Sequence, residues 1–339
     1  VNALRGRRIG VLGDVMLDRF VWGTASRLSP EAAVPVVEFV QQSDCLGGAG
    51  NVAANLVSLG ARVEMFGVVG NDEAGRALLG CARKLGLATD GLLADRSRPT
   101  TLKSRIIARQ QQIVRVDREV REPLSGELEA RLIRRAKSAL RQLDAMVISD
   151  YDKGTVTENV ADRVLEAAHR HGVPVFVKPK WKRQFAYRGA TVIVCNRAEA
   201  SFLVARALED EESLQQAGRA LLAHFACPAV VITRGEHGMD VFEQKQRDAC
   251  HIPAISRELF SYRRVGESPL ARESPGRQVF DVTGAGDTVL AVLALAFTAG
   301  ASVREAAHLA NLAAGIVVGK LGTATVTREE LLSLVRELS

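Results

Sequence analysis

The sequence predicts an α/β fold: a doubly wound, mostly parallel sheet flanked by helices, with a small β-sheet as a lid. Three observations carry this. Short apolar runs alternate with amphipathic helical stretches along most of the chain, which calls for parallel strands covered on both faces. Segments near 20–40 and 90–117 break that rhythm and alternate like antiparallel strands. The 339 residues, 47% of them apolar, are enough to bury a large core. The chain 1–339 therefore reads as a single domain, with lid strands drawn from about 20–40 and 90–117.

Arg8–Gly13 (RIGVLG) is a buried strand by its unbroken apolar run. A valine-rich run at 34–40 is a second strand. GGAGNVAANLVSLG then opens a small-residue helix that Gly60 closes. A strand at 63–69 and a helix at 74–85 follow, the helix stopped by Gly86. After the irregular stretch the βα rhythm returns. Helices are expected at 125–143, 158–171, 197–207 and 212–225, and strands at 145–149, 173–177, 191–194 and 229–233. The polar, proline-bearing segment 255–278 reads as a long loop, a length that suits a functional or disordered segment.

Composition excludes several classes. The net charge of +6 is spread thinly, and the densest basic run (Arg131, Arg134, Arg135, Lys137, Arg141) shares a helical stretch with Leu132, Ile133, Ala136 and Leu140. It is a solvated helix face, so no nucleic-acid partner is expected. The five cysteines include no C-x-x-C pair, against both a disulfide framework and a zinc site. No apolar stretch is long enough to span a membrane, and no signal peptide is visible. A cytoplasmic protein with anionic small-molecule substrates is expected.

The strongest chemical signal is DVTGAGDT at 281–288, followed directly by an apolar helix. A helix opening in Gly284-Ala285-Gly286 presents unpaired N–H groups and a positive dipole end, an anion site. Asp287 sits in the first turn. An isolated Asp there would be an ordinary N-terminal residue, but an anion hole beside a carboxylate is what phosphoryl transfer to a hydroxyl needs.

DVTGAGDT resembles the C-terminal signature of the ribokinase-like carbohydrate kinases, and GGAGN at 47–51 resembles their N-terminal one. GDVMLD at 13–18, SPEAAVPVV at 29–37, SDYDKG at 149–154, NRAE at 196–199, TRGEHG at 233–238 and the run at 310–327 extend the likeness. They are similar to the D-glycero-β-D-manno-heptose 7-phosphate kinases of bacterial lipopolysaccharide core synthesis, in a kinase-only form. The resemblance implies a ribokinase-like fold and ATP-dependent phosphorylation of the anomeric hydroxyl, giving the 1,7-bisphosphate.

By the same resemblance Asp287 is the base, with Gly284, Ala285 and Gly286 as its anion hole. Asp14, Gly47, Gly48 and Asn51 hold sugar hydroxyls. Asn196, Arg197, Ala198 and Glu199 serve the nucleotide, Glu199 organising Mg²⁺ through water. Thr233, Arg234, Gly235 and Gly238 form the nucleotide-phosphate turn, and Asn311 flanks the adenine. ATP, Mg²⁺ and a monovalent cation such as K⁺ are the implied cofactors, and a homodimer through the lid is the implied assembly. Simpler roles stand beside these: Asn196 with Glu199 also has the composition of a capping box.

A substrate with its own phosphate calls for positive charge near the lid. Lys103, Arg105 and Arg109 in TLKSRIIAR, with Lys153, are the candidates; exposed strand charges that discourage edge pairing are the plainer alternative.

The chain departs from the resemblance at Lys178-Pro179-Lys180-Trp181, where close relatives carry Asp-Pro-Lys-Gly. The reversed charge suggests weaker magnesium binding. Segment 255–278 is also longer than expected.

Two rivals remain open at this stage. Gly48–Ala53 fits the G-x-G-x-x-A of a dinucleotide site, although it does not follow the first strand directly. A non-catalytic sugar or nucleotide sensor on the same fold, or a kinase for another sugar, is the other.

Overall fold

β1 (Arg8–Gly13) is the strand around which the large sheet is built. Ile9 and Val11 enter one buried cluster and Leu12 the other, as a strand covered on both faces requires. The computed structural model describes residues 1–109, 111–180, 187–254, 284–320 and 324–338. The loop expected at 255–278, the first three residues of DVTGAGDT and Trp181 lie outside these.

β4 (Arg62–Gly70) and β8 (Ala145–Ser149) flank β1, both parallel to it. β5 (Leu92–Asp95) lies beyond β4. On the other side β9 (Val175–Lys178), β10 (Val192–Asn196) and β11 (Ala229–Thr233) continue the parallel run. β12 (Met239–Glu243) and β13 (Cys250–Ile252) close that edge antiparallel, a hairpin the sequence rhythm did not announce.

One face of the sheet is covered by α1 (Ala49–Ser58), α2 (Glu73–Lys84), α7 (Ala285–Thr298), α8 (Val303–Val318) and α9 (Arg328–Leu338). The other carries α3 (Gly126–Ala139), α4 (Glu158–Arg170), α5 (Arg197–Leu203) and α6 (Glu211–Phe225). α7 is buried on all sides from Thr288 to Ala296, because it is sandwiched between the sheet and α8. Full burial of Leu290, Leu293 and Leu295 contributes about 1.5–3 kcal/mol each and fixes where the mouth of α7 sits.

The small sheet has the order β3-β2-β6-β7, from β2 (Val15–Leu28), β3 (Pro35–Gly48), β6 (Leu102–Ala108) and β7 (Gln111–Arg118). Its first two strands are longer than expected, running from the end of β1 to the start of α1. Leu92–Asp95 differs from expectation: it pairs with Gly67–Gly70 in the large sheet. A four-residue strand shows too few alternations to reveal which sheet it joins.

Chain order moves outward in both directions from the β1/β8 pair, so the crevice at their C-terminal ends is a topological switch point. Asp14 follows β1 there and Asp150–Gly154 follow β8. Gly48–Ala53 comes after a lid strand, not after the first parallel strand, which removes the structural basis of a dinucleotide site.

Candidate active site

Gly284 adopts the left-handed conformation (φ +88°) as N-cap of α7, a backbone that glycine allows without strain. Its carbonyl accepts from the N–H groups of Asp287 and Thr288. Helix geometry leaves the N–H groups of Ala285 and Gly286 without intrahelical acceptors, at the C-terminal edge of the sheet, where the anion hole was expected.

Asp287 is 3% exposed. Its Oδ1 accepts from the Tyr151 hydroxyl at 2.5 Å and from Lys178 Nζ at 2.9 Å, and its Oδ2 accepts from Asn51 Nδ2 at 3.1 Å. The carboxylate is thus nearly buried and ion-paired with Lys178, with one donor on Oδ2 among the described residues. Burial opposes the charge of Lys178, but the attraction of Asp287, then of Tyr151 and Glu199, outweighs it and raises the amine's pKa. Burial and the charge of Asp287 push the Tyr151 phenol up as well, so it stays a donor. Tyr151 and Lys178 are the partners that sequence reasoning did not assign. They stand more than 100 positions from Asp287 along the chain, and only folding joins them.

Asn51 is fixed by its neighbour on α1: Asn55 Nδ2 donates to its backbone carbonyl and side-chain oxygen. Asp14 is 1% exposed. Its carboxylate accepts from the backbone N–H groups of Tyr151, Lys153 and Thr155 at 2.7, 3.1 and 3.0 Å. Asp14 therefore holds the loop that carries Tyr151, whatever else it binds. Gly47 and Gly48 lie against Asp18 and Asp14; a Cβ at Gly47 would come 2.6 Å from Asp18 Oδ2.

The four basic candidates separate into two sets. Lys103 and Lys153 converge on Glu119, at 3.7 and 2.9 Å. Burial acts to raise the Glu119 pKa, but hydrogen bonds from Lys153 and Arg121 and the charges of Lys153 and Lys103 bring it down to about 2. Arg105 is instead buried against Asp18 at 2.7 Å. Arg109 follows the end of β6 with φ +50°, at the turn to β7, where strand alternation no longer places it.

At the positions expected to serve the nucleotide, Asn196 and Glu199 make a reciprocal capping box at 2.8 and 2.9 Å. Glu199 Oε1 remains outside that box, 3.9 Å from Lys180 Nζ. Arg197 donates to the Leu208 carbonyl, and Ala198 is exposed beside it. Arg234 pairs with Glu211 and Asp240, so its guanidinium is committed within the β11–β12 end. Gly235 and Gly238, at φ +61° and +85°, shape the turn after Thr233. Asn311 donates to the Pro253 carbonyl at 2.8 Å. An open cleft of about 590 Å³ lies here, lined by Arg234, Glu236, His237, Pro253 and Ala254, enough for a nucleoside.

Among the described residues no three His, Cys, Asp or Glu side chains group as a metal cage. Glu199 Oε1, outside the capping box and 3.9 Å from Lys180 Nζ, suits a magnesium ion held mainly by waters and nucleotide phosphates. No helix among the described residues is long and apolar enough to cross a membrane.

The profile described as pfkB family carbohydrate kinase matches residues 7–330. "Bifunctional protein HldE" of Pelobacter propionicus is 43% identical over 334 residues, covering 98% of this chain and 64% of the relative. That of Trichlorobacter lovleyi is 43% identical over 325 residues, covering 96% and 62%. The chain thus spans somewhat less than two thirds of these relatives. Among solved structures, Arabidopsis thaliana ribokinase complexed with ribose and ATP superposes with TM-score 0.71 at 20% identity, covering 98% and 99% of the two chains. Escherichia coli phosphofructokinase-2 in complex with potassium gives 0.71 at 16%, covering 98% and 99%. Both share the fold.

Proposed function

The chain belongs to the pfkB family of carbohydrate kinases, and on that premise we propose that it phosphorylates the anomeric hydroxyl of D-glycero-β-D-manno-heptose 7-phosphate with ATP. The product is the 1,7-bisphosphate used in lipopolysaccharide core heptose synthesis. The likeness to HldE proteins over nearly the whole chain supports this acceptor. The observation that carries the reaction type is the Asp287 carboxylate at the mouth of α7, in contact with Asn51 of the GGAGN turn.

In this reading the acceptor oxygen attacks the γ-phosphorus, the bond from that phosphorus to the ADP oxygen breaks, and the hydroxyl proton passes to Asp287. The N–H groups of Ala285 and Gly286 face the charge that spreads over the transferred group. A loose transition state demands little early deprotonation, so a weak base suffices. Magnesium, when bound with ATP, neutralises polyphosphate charge, and Glu199 would hold it through water. Lys103 and Lys153 form the seat of the sugar phosphate, one from the lid and one from the crevice loop. A coupled ADP-release assay across a panel of sugars and sugar phosphates tests the acceptor. Turnover with heptose 7-phosphate well above the rest is expected; a preference for another sugar would replace the acceptor and keep the kinase.

The lid supports a homodimer. Phe39 and Val116 are 66% and 57% exposed, and Leu28, Val40 and Val114 add to the same small sheet, with Val34 just before it. Apolar exposure of this kind marks an interaction surface. Phe39→Asp should convert a dimer to a monomer in light scattering, whereas an unchanged mass would remove the lid as the interface.

A further inference from the structure

Two oxygens of one carboxylate are held very differently in this site. Asp287 Oδ1 accepts from both Lys178 Nζ and the Tyr151 hydroxyl, at 2.9 and 2.5 Å. Oδ2 accepts only from Asn51 Nδ2, at 3.1 Å, among the described residues. An ionised carboxylate has about four lone-pair sites, so two donors largely occupy Oδ1 while Oδ2 keeps an open one. Asn51 cannot turn its amide around without cost, because its Oδ1 already accepts from Asn55 Nδ2. Oδ2 therefore lies on the side of the GGAGN turn, and Oδ1 on the side of β9 and the crevice loop.

Lys178 is held as firmly as the carboxylate. Its ammonium lies 3.3 Å from the Tyr151 oxygen and 5.1 Å from that ring's centroid. A Cβ built on Gly286 would come 3.0 Å from Nζ, so the amine also stands against the first turn of α7. Tyr151 in turn is placed by Asp14 through its backbone N–H. Lys178, Tyr151 and Asp14 thus form a continuous support for one oxygen of Asp287.

We propose that Lys178 is a positioning residue for the phosphoryl transfer: together with Tyr151 it occupies Asp287 Oδ1 and thereby assigns Oδ2 as the oxygen that receives the acceptor's proton. This rests on the reading of Asp287 as the base. The proton moves from the acceptor hydroxyl to Oδ2 as the new P–O bond forms, and the ammonium on Oδ1 stays protonated throughout. The lysine accordingly acts on the rate of the chemical step and not on the binding of either substrate.

The test measures Lys178→Ala, Lys178→Met and Asp287→Asn in the full chain, with the acceptor that the sugar-phosphate panel identifies. For Lys178→Ala, kcat should fall about a hundredfold, the scale of a misplaced catalytic group, while KM for ATP and for the acceptor stay within about threefold. Added methylammonium or ethylammonium should restore part of kcat in Lys178→Ala, where a space is opened, and none in Lys178→Met, where the side chain fills it. A purely structural lysine would give raised KM values and no amine-dependent turnover, and that result would overturn the proposal. If Lys178→Ala does not fold, Lys178→Arg should keep more turnover than Lys178→Gln; equal turnover would overturn it. Asp287→Asn separates the base from its positioning. An active Asp287→Asn removes the base, whereas an inactive one beside an unimpaired Lys178→Ala removes the positioning role alone.

Discussion

Arg105 Nη1 lies 2.7 Å from Asp18 Oδ1, with both side chains sealed between β6 and β2. The guanidinium also covers the Phe20 ring at 5.2 Å. Truncating one partner of such a pair removes the countercharge of a buried group. Arg105→Ala should therefore lose about 3–5 kcal/mol of stability, read from urea midpoints at constant m. Replacing both partners with apolar residues should recover most of that loss. If Arg105→Ala instead keeps its midpoint and raises only KM for the sugar phosphate, Arg105 belongs to the phosphate seat.

Lys103 and Lys153 make the complementary case. Each is charge-paired through Glu119 and comes from a different part of the chain. Charge-assisted hydrogen bonds contribute about 1.5–3 kcal/mol each. Lys103→Ala or Lys153→Ala should accordingly raise KM for a phosphorylated acceptor roughly tenfold to a hundredfold, with KM for ATP nearly unchanged. Equal effects on both substrates would move these lysines out of the acceptor site.

Glu119 gives a pH dependence with a definite sign. Its pKa falls from the ordinary 4.5 to about 2 in the folded chain. A depressed carboxylate contributes stability that is present above its unfolded value and lost as pH falls through the folded one. The midpoint advantage of wild type over Glu119→Gln should thus be complete near neutral pH and shrink from about pH 4.5 downward. A gap that does not vary with pH would show that Glu119 acts by shape alone.

Asp14 is the anchor of the crevice loop. Asp14→Asn keeps the shape but loses the charge that three backbone N–H groups share. Stability should fall by about 1.5–3 kcal/mol, read as a lower urea midpoint at constant m, together with a reduced kcat, because Tyr151 rides on that loop. A variant with normal kcat and only a raised acceptor KM would make Asp14 a sugar contact and not the loop's anchor.

Gly238 tests the nucleotide turn. It has φ +85°, and an added Cβ would meet the Ile252 carbonyl at 2.0 Å. Gly238→Ala must displace the β12–β13 hairpin end, so KM for ATP should rise more than KM for the acceptor. The reverse order would place the nucleotide elsewhere.

Much of the fold could be read from periodicity. Arg8–Gly13, the helix after Gly48 and the βα series from Ala145 to Thr233 fall within a few residues of expectation, because one strand or helix carries its own pattern. The hairpin Met239–Ile252 and the membership of Leu92–Asp95 could not be read this way, since short strands declare a partner only by pairing. The loop at 255–278 lies outside the described residues.

By itself the sequence determined the chemistry on offer: a glycine-opened helix bearing Asp287, a GGAGN turn bearing Asn51, and basic residues on a lid strand. Tertiary structure alone decided the partners. It set Lys178 and Tyr151 on one oxygen of Asp287, Asn51 on the other, and Arg105 on Asp18. The reason is physical. Spacing along a strand or helix fixes the direction of a side chain over a few residues, whereas side chains far apart in the sequence meet only when the fold brings their elements together.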